Sequence, residues 1–338
     1  MTRSRLRTLV PLTGAVVAAG LLAACGSSAD GPPAGAAASG SPTSTDNCGR
    51  TVEVTTPPER IVAINQPATE LLLSLGLQDR MAAYGVSDDD FLPSLQDRAD
   101  EVEALDDEFV GLESLLDLEP DFVYATFAYT FSPEGVAPHA AFAELDIPTY
   151  QSPSECGGQD ARQDAELTLD DLYAEITELA GLLGVEDRGE ALVDELSTRA
   201  EEVSVDLDAG DVSLAWWYSS TRTPYIAGCC GAPGLMTRAV GATNAFEDAD
   251  QLWPETGWEA ILDRDPDVLV LADLERGDDG DSAEAKIRFL ESDPVASRLT
   301  AVKARRYVVL DGTTMDPSVR NVDGIEQLAT GLRDLGLV

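Results

Sequence analysis

The sequence is 338 residues long, carries a formal net charge of −40 and has 6% aromatic residues. An acidic surface of this kind repels nucleic acid and anionic lipid, which excludes nucleic-acid binding as a function. Beyond residue 47, about 290 residues remain, which is too many for one small domain and suits two lobes of ordinary size.

The N-terminus predicts an exported protein with a lipid anchor. An arginine-rich start precedes an apolar stretch at residues 9–24, which is too short to span a bilayer. The stretch ends in Leu-Ala-Ala followed by Cys25, which resembles the lipobox of bacterial lipoproteins, where the cysteine is acylated. We therefore expect a signal peptide over residues 1–24 and a tether at Cys25 to the outer face of the cell membrane. Residues 25–47 are rich in Ser, Ala, Gly, Pro and Thr and predict a flexible tether.

Residues 48–163 predict an N-terminal α/β lobe. Short apolar runs alternate with helix-like segments, a pattern typical of a mainly parallel sheet. The predicted strands are residues 51–54, 60–64, 81–84, 122–125 and 148–150, and the predicted helices are residues 68–75, 112–118 and 140–145.

Residues 164–206 contain no strand pattern and predict a linking helix. Apolar residues recur at intervals of three and four, including Leu169, Leu172, Ile176 and Leu179. Gly184 is a candidate break, so the segment is either one long helix or a helix broken once.

Strand–helix alternation returns over residues 207–338, which predict a C-terminal α/β lobe. The fold class is therefore α/β, with two similar lobes, mainly parallel sheets and a long interlobe helix. The predicted strands are residues 212–218, 268–272 and 307–310, and the predicted helices are residues 235–240, 258–262, 283–290 and 322–332.

The two lobes share an internal repeat. Residues 111–123 align with residues 257–269 without a gap, at an offset of 257 − 111 = 146. Gly, Glu, Leu, Asp, Pro and Asp are identical at matching positions. A repeated helix–Pro-Asp–strand unit indicates that the lobes are structurally similar.

Three segments resemble landmarks of a known family, the substrate-binding proteins of ABC importers for ferric siderophores, haem and cobalamin. Residues 57–76 resemble its first strand and helix, residues 115–123 its second landmark, and residues 233–244 a helix of its second lobe. The resemblance covers residues 51–332. It implies a monomer that holds a small ligand between two lobes, closes little on binding, and delivers the ligand to a permease and its ATPase subunits. In that family one glutamate on each lobe docks into arginine pockets of the permease, and by motif position these are Glu113 and Glu259.

In open α/β sheets, ligands bind beyond the carboxyl ends of the strands. Aromatic residues in the loops that follow these strand ends can line an apolar pocket, and arginines can form bidentate hydrogen bonds with a carboxylate or phosphate. Trp216 and Trp217 are adjacent and point to opposite faces, so at least one belongs to the core. The candidate ligand-binding residues are Asn65, Gln66, Phe127, Tyr129, Phe131, Trp217, Arg222, Tyr225 and Arg320.

Four cysteines remain after Cys25, an even number in an exported chain, so disulfides are expected. Three connectivities are open for the candidates Cys48, Cys156, Cys229 and Cys230. A metal site is not expected, because His139 is the sole histidine and lies in an expected surface turn.

The ligand has two candidate classes. The family resemblance implies a ferric siderophore or a cobalamin-like compound. Residues 311–326 and the turn at residues 229–234 also resemble an actinobacterial subgroup proposed to import an anionic deazaflavin coenzyme precursor. We expect no catalytic residues and no cofactor, because no nucleophile elbow, His-Glu-x-x-His motif or paired nucleophile and base occurs.

Overall fold

A computed structural model describes residues 42–105, 111–159, 161–163, 165–204, 207 and 209–338. The predicted signal peptide, Cys25 and most of the predicted tether lie outside these residues. Within them, no helix combines the length and apolar character needed to cross a bilayer.

The N-terminal lobe contains a hairpin and a parallel sheet. The hairpin joins β1 (Thr43–Asn47) to β2 (Arg50–Val54), so the end of the segment expected to be a flexible tether is a strand. The sheet has the order β4-β3-β5-β6 and is entirely parallel. Its strands are β3 (Ile61–Ile64), β4 (Met81–Gly85), β5 (Phe122–Ala125) and β6 (Thr149–Gln151), and the helices are α1 (Gln66–Ser74), α2 (Gln96–Ala99), α3 (Leu112–Leu116) and α4 (His139–Ala143).

The linking segment consists of two helices, α5 (Leu169–Leu183) and α6 (Glu186–Ser204), instead of one continuous helix. The break falls at Gly184, whose φ of 68° is left-handed and readily adopted by glycine. The chain therefore reverses, and Gly189 of α6 lies directly against Ala180 of α5.

The lobes are joined by three crossings of the chain. Residues 161–163 already contact the C-terminal lobe, where the N–H of Gln163 donates to the carbonyl of Asp250 at 2.7 Å. α5 then returns, with Leu172 in a C-terminal core and Leu179 in an N-terminal one. α6 crosses back to the C-terminal lobe. Three crossings restrict relative lobe motion more than a single helix would.

The C-terminal lobe repeats the topology of the first. Its parallel sheet has the order β8-β7-β9-β10, so each sheet arranges its strands as second, first, third and fourth along the chain. This confirms the predicted α/β class with two similar lobes. The strands are β7 (Ser213–Trp217), β8 (Thr243–Asn244), β9 (Val268–Asp273) and β10 (Tyr307–Asp311), and the helices are α7 (Ala232–Ala239), α8 (Trp258–Arg264), α9 (Ala283–Ser292), α10 (Thr300–Ala304) and α11 (Arg320–Asp334).

The internal repeat has a structural cause. Asp121 accepts hydrogen bonds from the backbone N–H groups of Glu59 and Arg60, both at 2.8 Å, at the start of β3. Asp267 accepts from the N–H of Ser213 at 3.0 Å, at the start of β7. In each lobe the repeated Pro-Asp therefore fixes the third strand beside the first.

Both sheets are covered on two faces, so alternate residues of a central strand enter different cores. In β7, Leu214 and Trp216 belong to one buried cluster, while Ala215 and Trp217 belong to another. A parallel strand of this kind is apolar throughout. Both tryptophans are consequently core residues.

Candidate functional site

A cleft of about 850 Å³ lies where the strands of both sheets end at their carboxyl sides. The N-terminal lobe contributes Asn65 after β3, Val86 after β4, Phe127 and Tyr129 after β5, and Glu155 after β6. Each of the four parallel strands thus supplies a lining residue, as the strand-end rule predicts.

The C-terminal lobe forms the opposite wall. Tyr218 follows β7, Trp253 follows β8, Arg276 follows β9 and Asp316 follows β10. Tyr225 completes the wall, and its carbonyl accepts the backbone N–H of Tyr218 at 2.9 Å. The rings of Tyr218 and Trp253 lie 5.2 Å apart, so this wall is largely aromatic.

The cleft loops of the N-terminal lobe are held in strained conformations. Asn65 and Val86 have φ angles of 81° and 59°. A positive φ is rare and strained for a β-branched residue such as Val86. Gln66 stabilises the adjoining loop, because its Oε1 accepts the N–H groups of Asp88 at 3.1 Å and Asp89 at 3.0 Å. Such contacts place the cleft residues in fixed positions before any ligand binds.

Four predicted ligand-binding residues line the cleft together: Asn65, Phe127, Tyr129 and Tyr225. The side chains of Tyr129 and Tyr225 are 53% and 51% exposed, which is high for large aromatic residues. Exposed aromatic surface inside a concavity is available to a ligand.

Three other predicted ligand-binding residues lie in the interior. Phe131 is buried and stacks on His139 with ring centroids 3.9 Å apart, so this histidine is packed and half-buried instead of lying in an open surface turn. Trp217 is fully buried and donates its Nε1–H to the carbonyl of Ser219 at 2.9 Å. Gln66 is buried beneath the loop that it stabilises.

The two predicted arginines are not in the cleft wall. Arg222 is exposed on the loop before Tyr225. Arg320 is 1% exposed and forms a two-pronged ion pair across the lobes with Glu70 of α1, from Nε to Oε2 at 2.6 Å and from Nη2 to Oε1 at 2.5 Å. Arg320 therefore joins the lobes instead of facing an anionic ligand.

Reasoning from the sequence did not single out five lining residues: Glu155, Tyr218, Trp253, Arg276 and Asp316. Most of them occur in loops that the strand-end rule identifies, or directly beside one. For Glu155, Tyr218, Arg276 and Asp316 the distinguishing signal was position, because each of these four lies within about five residues of a strand end. Trp253 had no such signal, since its strand β8 has two residues and was not predicted.

Burial and neighbouring charges raise the pKa values of two acidic side chains in the cleft. Burial, reinforced by the Glu175 carboxylate, raises the pKa of Glu155 to about 8. Burial raises the pKa of Asp316 well above its usual range, and the charges of Glu155 and Asp88 act in the same direction. At neutral pH, most Glu155 side chains therefore carry a proton, and burial favours the protonated form of Asp316 as well.

The four remaining cysteines form two disulfides. Cys48 bonds to Cys156 and joins the hairpin to the loop after β6. Cys229 bonds to the adjacent Cys230 immediately before α7. The carbonyl of Cys230 accepts the N–H of Leu167 at 2.8 Å, so this bridge lies against the linking segment.

The sequence and the fold are similar to those of known proteins. A family model described as "Periplasmic binding protein" matches residues 61–314. This chain belongs to that family. The match includes both sheets and every strand that ends at the cleft.

Individual relatives of this binding protein are distant. The Vitamin B12-binding protein of Vibrio cholerae is 24% identical over 82% of the chain and 90% of that protein. An uncharacterized ABC transporter substrate-binding lipoprotein of Bacillus subtilis is 24% identical over 94% of each chain. The crystal structure of an ABC-type Fe3+-hydroxamate transport system from Saccharomonospora viridis superposes with a TM-score of 0.71 at 25% identity, covering 86% of this chain and 98% of that one.

The two glutamates of the internal repeat lie at equivalent surface positions of this binding protein. Glu113 is in the first turn of α3, after Gly111, and Glu259 is in the first turn of α8, after Gly257. Both side chains are exposed. The structure thus presents one carboxylate from each lobe in the same local setting.

Proposed function

We propose that this protein is the extracytoplasmic substrate-binding lipoprotein of an ABC importer, which captures an iron–siderophore or cobalamin-like ligand between its lobes. The single observation that carries the proposal is the cleft of about 850 Å³ formed by the strand ends of both lobes. Relatives whose names specify vitamin B12 and Fe3+-hydroxamate support these ligand classes. The protein binds and releases its ligand and is not an enzyme.

The delivery step requires a membrane location and a permease. A lipid on Cys25 tethers the protein to the outer face of the membrane, a proposal supported by the lipobox-like sequence and by the lipoprotein from Bacillus subtilis. Glu113 and Glu259 dock onto the permease, which works with its ATPase subunits. The protein acts as a monomer with one ligand site.

The anionic deazaflavin precursor is the weaker candidate. Its binding would call for free cationic side chains in the cleft, but Arg222 lies outside the cleft and Arg320 is paired with Glu70. Arg276 does line the cleft, but its Nη2 is paired with Asp281 at 2.9 Å. The cleft wall is instead aromatic and acidic, which favours the first ligand class.

The test is a fluorescence titration of the purified mature protein with ferrioxamine B, haem, cyanocobalamin and a deazaflavin. Of the four tryptophans, Trp253 lines the cleft, whereas Trp216, Trp217 and Trp258 are buried, so contact with a ligand should quench mainly Trp253. A Trp253→Phe variant should lose most of the quenching and still bind by calorimetry. If no compound of the panel binds, or if any compound is chemically converted, the proposal fails.

A further inference from the structure

The cleft wall carries an excess of acid drawn from both lobes. Asp88 and Glu155 come from the N-terminal lobe and Asp316 comes from the C-terminal lobe. Among the described residues that line the cleft, Arg276 is the one basic side chain, and its Nη2 already lies 2.9 Å from Asp281. An anionic ligand would find Arg276 already paired with Asp281, and it would oppose the ionisation of these carboxyl groups.

Glu155 also leaves a hydrogen-bonding atom unused. The residue is 3% exposed, and its Oε2 is buried without a hydrogen-bond partner among the residues that the structure describes. An unpartnered buried carboxyl oxygen costs free energy unless a ligand or proton satisfies it. Because Glu155 lines the cleft, the missing partner can come from a bound ligand.

The aromatic wall provides a second, independent indication. Tyr218, Trp253 and Tyr225 face the cleft from one lobe, and Phe127 and Tyr129 face it from the other. The guanidinium of Arg276 lies 5.3 Å from the ring centre of Tyr218, so one cation already occupies such a surface. Aromatic faces attract cations, and carboxylates beside them strengthen the attraction.

We propose that the cleft selects a ligand that carries a positively charged group, an organic ammonium or guanidinium, and places that group against Glu155 and Asp316 between the aromatic walls. This inference rests on the proposed receptor function and specifies its ligand class. The positive charge supplies the partner that Glu155 lacks, and it offsets the carboxyl groups that meet across the lobes.

Binding of such a cation is coupled to proton release. Glu155 faces Glu175 of α5 and Asp316 of the other lobe. Asp316 also faces Asp88, Asp89, Tyr218 and Arg276, and burial is the main cause of the raised pKa values of both Glu155 and Asp316. A cation favours the ionised carboxylates and displaces their protons. Affinity for a cationic ligand therefore increases as pH rises toward the raised pKa of Glu155.

The experiment compares two chelates that differ in one charge. Ferrioxamine B is a ferric trihydroxamate with a protonated terminal amine, and its N-acetylated form is neutral. Wild-type protein should bind the free-amine chelate about tenfold more tightly, with a preference that grows from about pH 6 to about pH 8.5. The Glu155→Gln, Asp316→Asn double variant should lose the preference and bind both chelates with equal affinity, and a far-UV circular dichroism spectrum like that of wild type shows that it folds. Glu190→Gln, an exposed acid on α6, should keep the wild-type preference.

Each outcome separates this inference from the receptor function. Equal binding of the two chelates by wild-type protein, or binding of cyanocobalamin alone, overturns the cationic ligand class and leaves the receptor function standing. Binding of no compound in either experiment overturns both. A preference that the double variant retains also contradicts the assignment to Glu155 and Asp316.

Discussion

Glu155 is a carboxyl group whose proton binding differs between the folded and unfolded chain. Its pKa is about 8 in the folded protein and near the usual 4.5 when unfolded. Between these values the folded state holds the proton and the unfolded state does not, so stability falls as pH rises through the interval. Glu155, which we propose binds the ligand, therefore destabilises the folded protein at neutral pH when no ligand is bound.

We predict that Glu155→Gln removes part of this pH dependence. Glutamine does not titrate, so the free energy of unfolding of the variant should lack this loss. The difference in the free energy of unfolding, variant minus wild type, should therefore increase from about pH 4.5 to about pH 8, by at most about 1.4 kcal/mol for each pH unit. Urea denaturation at several pH values measures the difference. Glu190→Gln is the control and should track wild type. A difference in the free energy of unfolding between Glu155→Gln and wild type that is the same at every pH would contradict the prediction.

Single residues also show how far the sequence could specify the site. The strand-end rule identified Asn65, Phe127, Tyr129 and Tyr225, because these residues lie in the loops that follow parallel strands. It also selected Arg320, whose role depends on Glu70, 250 positions earlier in the chain. Such a pairing arises only when the lobes come together, so no local pattern could predict it.

At the scale of elements, the helical hairpin of α5 and α6 depends on two glycines with opposite roles. A Cβ on Gly189 would lie 2.5 Å from the Cβ of Ala180, which real structures do not allow. A Cβ on Gly181 would meet nothing within 4 Å. Gly189 thus permits close packing of the helices, whereas Gly181 only weakens α5 by its backbone freedom.

We predict opposite effects for alanine at these positions. Gly189→Ala should lower the free energy of unfolding by about 1–3 kcal/mol, because the helices must separate to admit the methyl group. Gly181→Ala should raise it by about 0.5–1 kcal/mol through helix propensity alone. Chemical denaturation of the pair provides a matched comparison. Stabilisation by Gly189→Ala would show that the helices are not closely packed there.

The helices and strands with strong apolar patterns were predictable, and the short ones were not. The predicted strands at residues 60–64, 122–125 and 268–272 correspond to β3, β5 and β9 within one residue at each end. β8 has two residues, which is too short for an alternating pattern. β1 lies in a polar stretch, and its register comes from pairing with β2 and from its disulfide-linked turn. Tertiary contacts decide such elements.

At the scale of the whole molecule, several contacts fix one lobe relative to the other. Arg320 and Glu70 form a buried ion pair across the lobes, and the N–H of Thr313 donates to Asp89 at 2.6 Å. Removing one partner of such a buried pair costs about 3–5 kcal/mol, so the pair resists lobe separation. Together with the three chain crossings, these contacts oppose a change in the relative positions of the lobes that carry α3 and α8. Such contacts would suit the docking of Glu113 and Glu259 onto a permease that we propose above.

We predict that Glu113 and Glu259 are required for delivery but not for capture. Each carboxylate lies outside the cleft on an exposed helix start, so alanine at either position should leave ligand affinity unchanged. Each single variant should reduce uptake by cells about tenfold, because one charged contact with the permease is lost, and the double variant should abolish it. Radiolabelled ligand uptake and titration of the purified variants measure the two quantities separately.

The control for this prediction is a second pair of exposed acids, one from each lobe. Glu144→Ala with Glu247→Ala removes the same charge from positions outside the internal repeat and should leave uptake at the wild-type level. Equal loss of uptake in both double variants would attribute the effect to net charge instead of docking. Loss of ligand affinity in the Glu113→Ala, Glu259→Ala double variant would show that these residues contribute to ligand binding instead of docking. Retained affinity with lost uptake is the outcome that only a two-point docking surface on rigidly joined lobes explains.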